Sequence, residues 1–279
     1  MIRVELSKML RRPRTWVTIL ALNALPTLVA VLLALTDLGP RPGTGPPFLS
    51  AVLTDGTLFP LAALGIVLPL FLPVAVAVVG GDAIAGETQT GTLRYLLVRP
   101  VSRARLLVAK LVSVVAFVVV AVAAVAIVSY VEGRLLLGDG TVATTGVTDP
   151  ATGAVSVSGS PLTQTQMLER SALAFGYVVL AMLGVAAIAL FLSTLTDSPV
   201  AAALGTIGLL IASTVLLGLD AAESLRPYLL TRYWLAFVDL FRDPIRWRDV
   251  IHGALAQLAY LVVFAGAAWA NFATKDVAG

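Results

Sequence analysis

Few side chains in this 279-residue sequence could carry out chemistry on their own. There is no cysteine and a single histidine, His252, which excludes disulfides, thiolate catalysis and metal sites built from several histidines. The three lysines are Lys8, Lys110 and Lys275, and none of them follows a glycine as the lysine of a phosphate-binding P-loop does. Ser160 has no histidine or lysine near it in the sequence, so it is a poor candidate nucleophile. We therefore expect no catalytic, metal-binding or cofactor-binding residue on this chain.

The composition is that of a membrane protein. Hydrophobic residues make up 58% of the chain and charged residues 13%, with a mean hydropathy of +0.95, whereas soluble domains are about 25% charged. Six stretches without Asp, Glu, Lys or Arg are long enough to cross a bilayer as helices. They are residues 16–35, 58–79, 111–130, 171–192, 200–219 and 251–270. The sequence thus predicts an all-α integral membrane protein in which residues 1–279 form one six-helix transmembrane domain. Spans without charges also argue against a proton- or ion-coupled carrier.

The distribution of basic residues predicts the orientation of the chain. Residues 1–15 and 80–110 together contain ten Lys and Arg residues, whereas residues 36–57 contain one. The positive-inside rule therefore places both termini in the cytoplasm and residues 131–170 and 220–250 outside. Five arginines in 220–250 reduce the overall margin to eleven inside against eight outside.

The N-terminal residues 1–15 have the pattern of an amphipathic helix that lies along the membrane surface. In that interpretation its apolar side chains face lipid and its basic side chains face headgroups and cytosol. The apolar set is Ile2, Leu6, Met9 and Leu10, and the basic set is Arg3, Lys8, Arg11 and Arg12. The alternative is a basic flank that only sets the orientation, and the sequence leaves both open.

The two longer outer segments differ in character. Residues 131–170 are rich in Gly, Ser and Thr, which predicts a flexible, hairpin-like excursion without a core of its own. Residues 220–250 mix aromatic side chains with arginines, as interfacial helices do. The stretch 228–241 is too short and too charged to span, so we expect it to lie on or dip into the outer leaflet.

The inner segment 80–110 has the clearest local pattern. Gly86 and Gly91 predict the end of the second span, and Thr92 can cap a short helix that stops at Pro100. Ser102 can then cap a helix that carries basic residues into the third span. The short helix presents three leucines: Leu93, Leu96 and Leu97. Such an element suits docking to a soluble partner, and the alternative is a basic loop that only sets topology.

This segment resembles the membrane subunits, or permeases, of ABC-2-type ABC exporters. The resemblance extends to the basic N-terminal helix, the six-span pattern, the short turn at 193–199 and the tail at 272–277. The residues that carry it most specifically are Gly86, Glu87, Gly91, Thr92, Leu93, Leu96, Leu97, Arg99, Pro100, Val101, Ser102 and Arg103, followed by Leu106 and Lys110.

The resemblance implies a fold and a set of partners. The fold is a six-helix bundle of the type V exporter kind, with an N-terminal interface helix and a cytoplasmic coupling helix between spans two and three. Two permeases, identical or paralogous, pair in the bilayer, and each docks a separate ABC ATPase that binds MgATP. The protein then exports a substrate across the cytoplasmic membrane of a prokaryote, with no nucleic acid among its partners and no cofactor on this chain.

The resemblance also implies which residues dock the ATPase. Glu87 and Arg94 are the expected polar contacts, the three leucines are expected to fill a groove on the partner, and the N-terminal helix is a second contact surface. The full expected set is Gly86, Glu87, Gly91, Thr92, Leu93, Arg94, Leu96, Leu97, Arg99, Pro100 and Arg103. The alternative function is a membrane scaffold or assembly factor that recruits proteins without moving a substrate.

Overall fold

The computed structural model describes residues 1–36, 48–49, 52, 56–91, 102–137, 152–158 and 160–274. Within these ranges the chain is built almost entirely from α-helices. They are α1 (Ile2–Arg11), α2 (Pro13–Thr36), α3 (Phe59–Val67), α4 (Phe71–Gln89), α5 (Arg103–Glu132), α6 (Gln164–Leu195), α7 (Pro199–Gly218) and α8 (Trp247–Thr274). Six of them, α2 and α4 to α8, are long and apolar enough to cross a membrane. The prediction of an all-α protein with six spans is confirmed.

Polar side chains fix where several helices begin. The Ser102 hydroxyl accepts a hydrogen bond from the amide of Arg105, so the predicted cap of α5 is present. Thr163 and Gln166 form a capping box at the start of α6. Ser198 caps α7, so a turn of only three residues, 196–198, joins α6 to α7.

The second predicted span differs from the structure. Residues 58–79 are not one helix, because α3 ends at Val67 and α4 begins at Phe71. Pro69 lies in the intervening turn and Pro73 in the first turn of α4, where a residue without an amide N–H is tolerated. The nine residues of α3 are too few to span and are mostly buried. The spanning helix is α4, displaced toward the C-terminus of the prediction and ending at Gln89.

Helices α3 to α6 surround the main hydrophobic core, to which α8 and the segment 230–241 also contribute. Helix α6 is the most buried of the six candidate spans. A second, smaller core joins α4, α5, α6 and α8 at one end of the bundle. It consists of Ile84, Leu106, Leu107, Leu190, Ala268 and Phe272. We refer to this end, where α4 finishes and α5 starts, as the basal end, and to the opposite end as the apical end.

Two adjacent glycines allow α4 to pack closely between α6 and α7. A Cβ atom at Gly80 would lie 2.7 Å from the Ala189 side chain, and one at Gly81 would lie 2.9 Å from the backbone nitrogen of Ala203. Neither position can hold a larger side chain unless a neighbour moves.

Next to the two glycines, the hydroxyl of Ser193 on α6 forms hydrogen bonds with backbone groups of α4. It donates a hydrogen bond to the carbonyl of Gly81 at 2.6 Å. It also accepts from the amides of Ile84 at 3.1 Å and Ala85 at 2.9 Å. Side chains that enter a helical hydrogen-bond ladder in this way mark points of local irregularity. The α4 backbone is therefore bonded directly to another helix next to its glycine pair.

The apical end carries the remaining regular structure. Strands β1 (Thr152–Val155) and β2 (Pro161–Thr163) pair antiparallel within the predicted hairpin-like segment, and α6 begins shortly after β2. Two 3₁₀ helices, Asp220–Tyr228 and Trp234–Phe241, make up most of the segment predicted to be interfacial. Side chains of the spanning helices donate hydrogen bonds to backbone carbonyls of this segment. Tyr177 donates to the carbonyl of Tyr233, Gln257 to that of Leu230 and Tyr260 to that of Tyr228.

Candidate functional site

The structure describes four of the eleven predicted docking residues: Gly86, Glu87, Gly91 and Arg103. The other seven lie outside the described residues. They are Thr92, Leu93, Arg94, Leu96, Leu97, Arg99 and Pro100. The site can therefore be built from the two helices that flank this segment, α4 before it and α5 after it.

The two predicted helix-ending glycines behave differently. Gly86 lies inside α4 and does not end it, in contrast to the prediction. A Cβ at Gly86 would collide with the carboxylate of Asp82 one turn earlier, so the glycine makes room for that side chain. Gly91 follows the end of α4 with a φ of 70°, in the left-handed region that glycine adopts without strain. It is exposed and turns the chain away from the helix axis.

Arg103 ties the start of α5 to the end of α8. One of its guanidinium nitrogens, Nη1, lies 3.1 Å from the carbonyl oxygen of Ala273 and 3.5 Å from that of Phe272. The last carbonyls of a helix carry partial negative charge, so a guanidinium group is stabilised there. Arg103 thus holds the downstream end of the predicted docking segment against the bundle.

Glu87 is turned into the protein instead of outward. Its residue is only 3% exposed, and its Oε1 atom lies 2.5 Å from Nζ of Lys110 and 2.5 Å from Nζ of Lys8. The predicted polar contact between Glu87 and a partner ATPase stays a prediction, and within this chain the carboxylate faces two lysines. Two lysines of the same chain occupy the space around the carboxylate, so Glu87 holds helices together.

Glu5, Lys8, Glu87 and Lys110 form one ionic cluster at the basal end. Lys110 Nζ lies 2.7 Å from Glu5 Oε2 as well as contacting Glu87, and Lys8 Nζ lies 3.9 Å from Glu5 Oε1. Glu5 and Lys110 are buried, at 7% and 4% exposed. Two cations and two anions leave the ionic cluster neutral, which is what allows charged groups to be buried.

A second set of ion pairs lies beside the ionic cluster. Arg12 Nη1 lies 3.0 Å from Asp82 Oδ2, and Arg14 Nη1 lies 3.9 Å from Asp82 Oδ1. Arg12 and Arg14 flank the junction of α1 and α2, while Asp82 lies on α4. The junction is therefore attached to α4 independently of the ionic cluster.

These contacts correct the predicted orientation of α1. Its buried residues are Glu5 and Met9, which lie on one face of the helix at a spacing of four, and Met9 belongs to the main core. Ile2 and Leu10 are exposed as predicted, but Lys8 points toward Glu87 instead of headgroups. Helix α1 is packed onto α5 and onto the end of α4.

Sequence reasoning missed the pairing, although a signal for it was present. Glu5 is the only carboxylate in the first 36 residues, and it lies among five basic ones. Glu87 precedes Lys110 across the inner segment at the ends of two charge-free spans. A carboxylate placed where the positive-inside rule favours cations indicates a specific ion pair.

The helices that flank the predicted docking segment, α4 and α5, are both bonded to α1. Gly91 follows the end of α4 and Ser102 caps the start of α5, so these two residues flank the segment 92–101 in the sequence. Glu87 and Lys110, close to those two ends, are bonded to each other and to α1. Because α1 leads directly into α2, the ionic cluster connects α4, α5 and α2 at the basal end.

Comparison with known proteins gives one family. The family model described as ABC-2 family transporter protein matches residues 1–277, which include every helix described above. No curated protein sequence matches the chain. A match of this extent shows the family that the resemblance of residues 86–110 had indicated. The chain therefore belongs to the ABC-2 transporter family, as a multi-pass membrane component of the permease type.

Proposed function

We propose that this protein is the permease subunit of an ATP-binding cassette exporter. It pairs with a second permease, identical or paralogous, and each permease docks a separate ABC ATPase. Hydrolysis of MgATP on those partners drives export of a substrate across the cytoplasmic membrane of a prokaryote. The observation that carries the proposal is the family match over residues 1–277.

The docking element in this proposal is the segment 92–101. Its three leucines, Leu93, Leu96 and Leu97, fill a groove on the ATPase, and Arg94 makes the polar contact. Glu87 takes a different role from the one its sequence position suggested. As a buried member of the ionic cluster, it fixes the end of α4 from which the segment departs.

In this proposal, the contacts at the basal end transmit displacement of this segment to the spanning helices. Anchored on α4 and α5, the segment transmits displacement to two spanning helices directly. The ionic cluster connects α1 to these two helices, and α1 leads directly into α2, which is the third spanning helix affected. Interiors that are close-packed and ion-paired move as units, so three spans would respond together.

Replacement of Leu96 and Leu97 by aspartate is expected to abolish recovery of the ATPase with the tagged permease. Two carboxylates would enter an apolar groove without partners, which costs several kcal/mol. The measurement is a mild-detergent pulldown, with partners identified and ATP hydrolysis assayed. Unchanged recovery of a stoichiometric ATPase would defeat the docking assignment.

The matched control replaces Tyr95 and Val98 by aspartate, on the opposite side of the same predicted helix. It introduces the same two charges and should retain the ATPase. Equal loss in both variants would contradict docking through the leucine face. If no ATPase is recovered with the unchanged protein, even after crosslinking, the scaffold function replaces the exporter function.

The same proposal places the basal end in the cytoplasm. Because the chain contains no cysteine, single cysteines report topology without background. Val157 at the apical end is 45% exposed and Val4 on α1 is 65% exposed. In intact cells, an impermeant thiol reagent should label Val157→Cys, and should label Val4→Cys only after lysis. The reverse pattern would invert the orientation.

A further inference from the structure

A cavity of about 350 Å³ opens at the basal end of the bundle, next to the ionic cluster. Its walls come from the α1–α2 junction, α4, α5 and the start of α7. One side is apolar, and the other is charged. The apolar side is formed mainly by Val78, Val79, Val200, Leu204 and Ile207.

The charged side carries an excess of positive charge. Lys8 and Lys110 are balanced by the two glutamates of the ionic cluster. Arg12 and Arg14 both pair with Asp82, so two guanidinium groups share one carboxylate. Arg14 is held loosely, at 3.9 Å, with 84% of its side chain exposed. Among the described residues around the cavity, one positive charge therefore remains to be matched.

The apolar side extends further from the basal end than the charged side does. Val200 and Leu204 are 66% and 61% exposed on α7, a helix that can cross the membrane. The bundle covers little of them, so their side chains are accessible to an acyl chain. Arg12 and Arg14 lie where α1 meets α2, at the end of a span, which is the level of lipid headgroups. Val200 lies near the same end of its helix as Arg14, whereas Leu204, Ile207 and Val78 lie further from the basal end. The cavity thus presents cations at headgroup level and an apolar wall that continues below them.

We propose that this cavity binds an anionic phospholipid. The phosphate lies between Arg12 and Arg14, and one acyl chain follows the wall formed by α4 and α7. Basic pockets between spanning helices are suited to lipid phosphates, and a volume of this size lies within the range of small-ligand sites. A zwitterionic lipid would satisfy the apolar wall and leave the excess charge unmatched. A free phosphate would neutralise the excess positive charge but would not cover the apolar wall.

The bound lipid would add contacts between the α1–α2 junction and α7, which the protein connects through α4. Its phosphate would contact the α1–α2 junction, and its acyl chain would contact α4 and α7. This inference rests on the cavity and its charges and not on the assignment of the ATPase-docking segment.

The test is native mass spectrometry of the full-length chain after delipidation. The probes are phosphatidylglycerol, phosphatidylcholine with the same acyl chains, and inorganic phosphate. We expect phosphatidylglycerol to remain bound at activation energies that remove phosphatidylcholine. Inorganic phosphate should not displace it. Equal retention of the two lipids, or displacement by phosphate alone, would overturn the proposal.

Two pairs of arginine variants test whether the lipid binds in this cavity. Arg12→Gln with Arg14→Gln should weaken phosphatidylglycerol binding by about fivefold for each arginine. Arg3→Gln with Arg11→Gln removes two exposed cations of α1 that do not line the cavity, and should leave binding unchanged. Equal weakening by both pairs would show that net charge alone attracts the lipid.

A second pair of variants tests the apolar wall without disturbing any ion pair. Leu204→Trp should fill the cavity and remove the lipid. Leu209→Trp, at a position on α7 that is 47% exposed and does not line the cavity, should have no effect. Retained binding in Leu204→Trp would overturn the assignment, provided that both variants elute as folded proteins.

Discussion

Replacement of Lys110 by methionine is expected to destabilise the protein by about 3–5 kcal/mol, the usual cost of removing one partner from a buried ion pair. Lys110 contacts Glu5 at 2.7 Å and Glu87 at 2.5 Å, and all three residues are less than a tenth exposed. Without it, two buried carboxylates would share the single, half-exposed Lys8. The expected readout is a strongly lowered midpoint of unfolding in detergent, measured by fluorescence-detected gel filtration after heating.

Two further variants separate the ionic cluster from a general effect of charge. Arg105→Met, on the same helix as Lys110 but exposed, should change stability by less than about 1 kcal/mol. Lys110→Met combined with Glu5→Met leaves the Lys8–Glu87 pair intact and restores neutrality, so it should recover most of the loss. A single Lys110→Met variant as stable as Arg105→Met would falsify the description of the ionic cluster.

Replacement of Gly81 by valine is expected to separate α4 from α7. Even a single Cβ atom at this position would lie 2.9 Å from the backbone nitrogen of Ala203 and 3.1 Å from the carbonyl oxygen of Pro199. Backbone atoms cannot rotate away as a side chain can, so one helix has to shift. We expect a loss of about 3 kcal/mol or more, at the upper end of overpacking effects, seen as a low yield of monodisperse protein.

Gly208→Val on α7 is the matched control for this change. A Cβ at Gly208 meets nothing within 4 Å, so the same substitution adds no clash. Because valine favours a helix more than glycine does, Gly208→Val should leave stability unchanged or slightly raised. If both valine variants fold equally well, α4 and α7 are not in backbone contact at Gly81.

Hydropathy alone was enough to predict the helical class and the number of spans, because the bilayer demands about 20 apolar residues per crossing. It was not enough for the second span. The apolar residues run without interruption from Leu58 to Val79, yet the helix breaks around Pro69 and continues through Pro60 and Pro73. Prolines kink some helices and end others, and the outcome depends on packing that a local sequence window does not contain.

The candidate site was predicted in part. The turn at Gly91 and the cap at Ser102 follow from local chemistry, and both are present. The inward position of Glu87 depends on Lys8, which is 79 residues away in the chain. The carboxylates of Glu5 and Glu87 among basic residues indicate that an ion pair exists, but no local pattern identifies a partner at that distance. Ser193 is a similar case, since its bonds to α4 span more than 100 residues.

The long sequence separations within the ionic cluster bear on how the chain is made. The ribosome delivers Glu5 and Lys8 first, Glu87 with the end of α4, and Lys110 only with α5. Before Lys110 emerges, a growing chain holds two carboxylates of the ionic cluster against one lysine, and α1 has incomplete counterions for its final position. The N-terminal helix is therefore synthesised first, but its full set of ion pairs can form only after the third spanning helix has been made.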